Sequence, residues 1–300
     1  VISGSQDQMQ LDVPGLKRVV AKFDGGAVCS DGGLLLLRKA DLRLGLTELA
    51  SFAIRDERRP DYVQHTITDM MKQRIYGIAA GYEDCNDAGQ LRHDAMHKLA
   101  VGREAGSNRA LASQPSLSRF ENNVDAIANA ALQRLLVHLF VKQTKKPPKV
   151  LRLAMDTTCD ETYGTQQLSF YNGYYEAFCF APLFIFTDCG FPLCALLRPG
   201  NPNPIDDAKR MLKKVIHELR LSWPNVRIEL TADAAFASSE MFDFLEDEGV
   251  QYFISAAAHA GYAYHAEKLV VKCKQEFDEF GYQSPALKKY AAMVNPGDRK

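Results

Sequence analysis

Residues 150–158, VLRLAMDTT, and residues 226–233, VRIELTAD, decide the fold of this chain. Each is a short apolar run of strand type, and each ends near an aspartate, Asp156 and Asp233. In an open α/β sheet the functional crevice lies at the carboxyl ends of the strands, so both carboxylates stand where chemistry is usually placed. An aspartate there can instead cap the turn or helix that follows, although Ser238 and Ser239 offer themselves as caps after Asp233. Spacing alone leaves both readings open.

Moving outward, aromatic and β-branched segments at 167–178 and 180–187, then 193–197, predict a meander turning at Asp188, Cys189 and Gly190. The turn-rich RPGNPNPID leads into an amphipathic helix over 206–221, with Met211, Leu212, Val215, Ile216 and Leu219 on one face. The strand ending at Asp233 comes next, then a helix over 238–248 stopped by Gly249, then the strand VQYFISAA. The order β-β-β-α-β-α-β is that of an α/β ribonuclease H-like domain with a mixed sheet. In that fold the first and fourth strands are neighbours, so Asp156 and Asp233 would face each other across 233 − 156 = 77 positions.

The first half reads as helical. Helices are predicted over 34–40 after a Ser30 or Asp31 cap, over LGLTELASF, from Asp61 along Val63, Ile67, Met70, Met71, Ile75 and Ile78, over 87–101, and over 116–140. His65, Lys72, Gln73 and Arg74 fall on the outer face of the third, and Ser118 and Glu121 have capping-box spacing in the last. Residues 1–149 hold 21 Lys plus Arg against 17 Asp plus Glu, a net of +4, and residues 150–300 hold 15 against 20, a net of −5. The change falls at KQTKKPPK, 142–149, which suits a linker. The expected organisation is a helical domain over 1–145, a ribonuclease H-like core over 150–258, and the opening of an inserted region over 259–300.

Over the whole chain of 300 residues the net charge is −1, so gross basicity announces no nucleic-acid partner. With 46% hydrophobic and 24% charged residues, disordered and coiled-coil classes are excluded. The start VISGSQDQMQ carries no secretory pattern, and the apolar stretch FYNGYYEAFCFAPLFIF is broken by Asn172, Gly173, Glu176 and Pro182, which excludes a clean membrane span. A cytoplasmic protein with no membrane partner is expected. The seven cysteines lack any Cys-x-x-Cys pair and read as reduced thiols, Cys189 and Cys194 among them. His93 and His97 are one helical turn apart but have no evident third metal ligand.

Several motifs in order carry a family resemblance. FDGG with SDGGLLLLRKAD, KQRIYGIAAGYEDCNDAGQLRHD (72–94), LASQPSLSRFEN, MDTTCDETYGTQQLSFYNGYYEAFCFAPLFIF, LRPGN and TADAAFASSEMFDFLEDEGVQYFIS together resemble the DDE-type transposases of bacterial insertion sequences, the DDE domain group 1. The resemblance implies that Asp156 and Asp233 are the first and second catalytic aspartates and ligands of Mg2+, or Mn2+, with two ions in the site. Hard cations take carboxylate oxygens, water and substrate phosphates, and a pair of them assists in-line phosphoryl displacement. It also implies double-stranded DNA as partner, both terminal inverted repeats and target, with self-association on DNA. The implied reactions are cleavage at transposon ends and strand transfer into target DNA.

The implied third carboxylate is unknown here and is expected beyond Lys300; Glu267, Glu276 and Glu279 read instead as a solvated helix face. Lys72, Arg74, Arg92 and Arg198 are candidate DNA contacts, with a structural ion pair as the other reading of Arg198. Tyr171, Tyr174 and Tyr175 suit either stacking on a base or strand packing. The alternative functions are a non-catalytic remnant that only binds DNA or assembles with full-length copies, and another ribonuclease H-like nuclease.

Overall fold

The computed structural model describes residues 8–11, 19–22, 29–255, 266–267, 269–275 and 278. The FDGG turn, Glu276, Glu279 and most of the expected inserted region lie outside the described residues; 266–267 and 269–275 are helical. Two compact units divide at Leu135 and Leu136.

In the first unit, β1 (Gln8–Leu11) pairs antiparallel with β2 (Val19–Lys22). Six helices follow: α1 (Leu34–Leu44), α2 (Leu46–Ser51), α3 (Ile67–Ala79), α4 (Ala88–Leu91), α5 (Ala95–Val101) and α6 (Gln114–Asn122). A seventh, α7 (Ala126–Gln143), begins in this unit and ends in the second. Met70, Met71, Ala112, Leu117 and Phe120 are central to the main apolar cluster of this unit.

Local chemistry explains where the helices depart from the sequence reading. Gly33 precedes α1 without a side-chain cap, because the Asp31 carboxylate is taken by His97 and Tyr82. Pro60 starts a separate 3-10 turn, and α3 begins only at Ile67, where the Thr66 hydroxyl accepts the Asp69 N–H. The helix expected over 87–101 breaks at Asp94, which caps α5 through the N–H groups of Met96 and His97. The helix expected over 116–140 breaks near Asp125, whose carboxylate accepts the Ala128 N–H; Ser118 and Glu121 therefore form no capping box. Gln73 is buried, not outward, and its amide exchanges two hydrogen bonds with the Ala112 backbone.

The second unit is built on a five-stranded sheet. Its strands are β3 (Val150–Thr157), β7 (Leu183–Thr187), β8 (Pro192–Leu196), β9 (Arg227–Ala232) and β10 (Gln251–Ile254), in the order β10-β9-β3-β7-β8. β3 runs parallel to β9 and antiparallel to β7, and β9 runs parallel to β10. This mixed order is the ribonuclease H-like arrangement expected from the sequence.

Segment 167–187 departs from the expected meander. β4 (Asp160–Glu161), β5 (Phe170–Asn172) and β6 (Ala177–Phe180) form a separate three-stranded sheet in the order β4-β6-β5, and only from Leu183 does the chain join the main sheet. Ala181 and Pro182 separate the two strands, and proline cannot donate to a ladder.

One face of the main sheet is covered by α8 (Pro204–Ser222) and α9 (Ser239–Asp247). Asn203 caps α8 with Pro204 in its first turn, and Ser238 caps α9. Leu151, Leu153 and Met155 alternate inward along β3 into the same apolar cluster as Leu212, Val215 and Leu219 of α8, each buried side chain contributing about 1.5–3 kcal/mol. Arg152, Ala154 and Asp156 then point to the opposite, exposed face. All seven cysteines are free; Cys179 and Cys194 are buried, whereas Cys189 is an exposed turn residue rather than a core thiol. Among the described residues no single helix is long and apolar enough to cross a membrane.

Candidate active site

The carboxyl ends of β3 and β9 bring Asp156 and Asp233 together. Their parallel register pairs Arg152 with Glu229, Ala154 with Thr231, and Met155 with Ala232. Continuing it by one position sets Asp156 beside Asp233 on strands about 4.8 Å apart. At the other end of the same face, Arg152 and Glu229 are matched by an ion pair of 3.0 Å. At this end two acids are neighbours, both exposed, and neither has an ion-pair partner among the described residues. Like charges directly opposite cost stability, which makes the pair a candidate for chemistry rather than for support.

One oxygen of each carboxylate is fixed by the backbone. Asp156 Oδ1 accepts the Thr157 N–H at 2.8 Å, and Asp233 Oδ1 accepts the Ala235 N–H at 3.1 Å as the chain turns into a 3-10 segment. Asp233 therefore does cap the turn after its strand, and it also stands at the carboxyl end of the sheet beside Asp156. The Oδ2 atoms are in no hydrogen bond among the described residues. Two adjacent hard oxygen donors without a cation partner fit a divalent ion of the Mg2+ type. Among the described residues no third His, Cys, Asp or Glu completes a metal-binding group with them.

Tyr175 marks the same place. Burial pushes its phenol pKa up, and the charges of Cys159, Tyr174, Asp156 and Asp233 add to the rise. Its hydroxyl donates to the Thr157 carbonyl at 3.4 Å, and its ring meets Tyr174 edge-on at 5.0 Å. Tyr174 itself is 87% exposed. Tyr171 packs edge-on against Phe178 in the small sheet.

Arg198 requires a correction. At 2% exposure it is neither a surface phosphate contact nor a member of an ion pair among the described residues. Its Nε donates to the Ala181 carbonyl at 2.8 Å and its Nη2 to Thr157 Oγ1 at 2.7 Å, while Nη1 is buried without a partner.

Lys72, Arg74 and Arg92 belong to the first unit, on α3 and just after α4, and Asp156 belongs to the second. Lys72 is half-buried; Arg74 is tied to Glu121 and to the Glu83 carbonyl, and Arg92 holds its Nε buried and unpaired. His97 is buried, with its Nε2 3.1 Å from the Asp31 carboxylate. The sequence reading missed a cleft of about 470 Å3 in this unit, lined among others by Arg55, Arg58, Gln64, Arg119 and Asn122. The run IRDERRP was its one signal, and Asp56 and Glu57 mask it by pairing with Arg58 and Arg55.

A family model described as transposase DDE domain group 1 matches residues 12–293. No curated protein matches the chain. Among solved structures, the piggyBac transposase synaptic complex with hairpin DNA aligns over 76% of this chain and 51% of its own, at 15% identity and a TM-score of 0.36. The Drosophila P element transposase strand transfer complex aligns over 69% and 48%, at 12% identity and 0.28. The Mos1 transposase paired-end complex with left transposon end aligns over 87% and 93%, at 10% identity and 0.26. The chain thus spans about half the length of the piggyBac and P element proteins.

Proposed function

The chain belongs to the transposase DDE domain group 1 family, and from that premise we propose that it acts on DNA by metal-dependent phosphoryl transfer at Asp156 and Asp233. The observation that carries this reading is the parallel register of β3 and β9, which makes the two carboxylates neighbours. A bound divalent cation would supply Lewis-acid stabilisation of the phosphoryl oxygens and of the leaving oxygen. Asp156 and Asp233 would hold it through the oxygens their backbone bonds leave open, and the Thr157 and Ala235 N–H groups keep the carboxylates oriented. In the same reading the substrate is the double-stranded DNA of transposon ends and then of a target, and the protein self-associates on it. The expected domain division stands as part of this proposal, with residues 1–145 engaging DNA ends and 150–258 carrying the chemistry.

Asp156→Asn and Asp233→Asn test it. Each is expected to lower Mn2+ affinity and Mn2+-dependent cleavage of a duplex carrying the element's ends by more than the 10- to 100-fold typical of a residue that merely supports a metal ligand, roughly. DNA binding should be retained. Unchanged affinity and cleavage in both variants would sink the assignment.

The second reading is that this chain binds DNA without cutting it. Binding of end duplexes with no cleavage by the unsubstituted chain is its expected signature.

A further inference from the structure

We propose that Arg198 is a positioning residue for Asp156: its guanidinium fork clasps the end of β3 to the lead-in of β7 and so holds the carboxylate in place. The proposal rests on the reading of Asp156 and Asp233 as a cation-holding pair.

Two hydrogen bonds run in series from Arg198 to the carboxylate. Nη2 of Arg198 donates to Thr157 Oγ1, and the Thr157 N–H donates to Asp156 Oδ1. Tyr175 holds the third polar group of the same residue, the Thr157 carbonyl. Thr157 is therefore fixed on its side chain and its carbonyl while its N–H holds the acid. The other arm of the fork, Nε, reaches the Ala181 carbonyl, and the Arg198 carbonyl accepts the Ala181 N–H at 3.1 Å.

The residues after Arg198 close the clasp on the small sheet. Pro199 bridges to Phe180, and the Gly200 carbonyl accepts the Asn172 amide at 2.7 Å. At Gly200 a Cβ would stand 2.3 Å from the Cys179 carbonyl oxygen and 2.4 Å from that of Phe170, so only glycine lets the backbones approach this closely.

A buried guanidinium without a carboxylate partner is a poor way to gain stability, since a well-packed apolar side chain would serve better. Burial presses the Arg198 pKa down, against the pull of Asp207 and Tyr175. What arginine supplies and lysine does not is a rigid fork that reaches two acceptors on two segments at once. The clasp accounts for Nε and Nη2, and the orphan Nη1 is the part of the cost it leaves uncompensated.

Arg198→Met, Arg198→Lys and Thr157→Val test the clasp in the full chain. Hydrogen exchange read by mass spectrometry on peptides covering 153–160 and 177–183 is compared with the α8 peptide, which reports the fold. Mn2+ affinity is read by paramagnetic resonance. All three variants are expected to raise exchange at 153–160 by about 10-fold or more and to weaken Mn2+ binding by about 10- to 100-fold, the range for a group supporting a ligand, with α8 unchanged. Lysine should not rescue, because its single ammonium cannot span both acceptors. Parent-like exchange at 153–160 in Thr157→Val and Arg198→Met overturns the clasp, as does full rescue by lysine. Raised exchange with parent-like Mn2+ affinity overturns the positioning role. If the unsubstituted chain binds no Mn2+, the cation-pair reading itself falls, and the exchange comparison still decides the clasp.

Discussion

Asp41 is 5% exposed and accepts three hydrogen bonds, from the Thr47 N–H at 2.9 Å, the Thr47 hydroxyl at 2.5 Å and the Tyr76 hydroxyl at 2.6 Å. A buried acceptor that loses one donor bears the desolvation cost without the compensating bond. Tyr76→Phe keeps the ring in its packed place and is expected to cost about 1–3 kcal/mol in urea unfolding. The pair joins positions 35 apart in sequence, and neither residue announces the other. Asp156 and Asp233 differ in this respect. Each could be singled out because a strand pattern ends on it, whereas their contact required the register. Arg198 was legible only as a charge near a turn; its burial reversed the expected role.

At the scale of elements, α8 was the most readable. Its apolar positions 211, 212, 215, 216 and 219 are all buried, and the Asn203 cap and Pro204 extend it two residues before the predicted start at 206. Amphipathic spacing is a local property, so it survives into the fold unchanged. Breaks in the first-unit helices were less readable, because Asp94 and Asp125 act as caps through side-chain bonds that periodicity does not register. The small sheet was read as part of the main one, since strand propensity does not say which partner a strand will choose. Gly200 fixes that sheet. Gly200→Ala forces two backbone carbonyls apart and is expected to cost about 1–3 kcal/mol, as overpacking does, visible as a lowered urea midpoint. Exchange should rise at 170–180 ahead of α8; an unchanged midpoint would show that the segment relaxes freely.

At the scale of the whole molecule, the net charge of −1 averages a +4 half and a −5 half. If the proposed DNA contact runs through the basic half, affinity should fall steeply with salt, with a log–log slope of about −0.9 for each phosphate neutralised. Replacing Arg55 and Arg119, which line the first-unit cleft, by alanine is expected to make that slope shallower by up to about 1.8 if each holds one phosphate, measured by fluorescence anisotropy on a mixed-sequence duplex. A slope equal to the parent's would remove the cleft from the DNA contact.

The sequence by itself determined the strand ends that carry Asp156 and Asp233, the amphipathic face of α8, and the change of character between helical and mixed halves. These follow from periods of two and 3.6 residues within one segment. Only the tertiary structure decided that the two acids are neighbours, that segment 160–180 forms its own sheet, and that Arg198 is buried beneath Thr157. Those are outcomes of pairing and burial between segments as much as 77 positions apart, and no local pattern encodes which backbone will lie beside which.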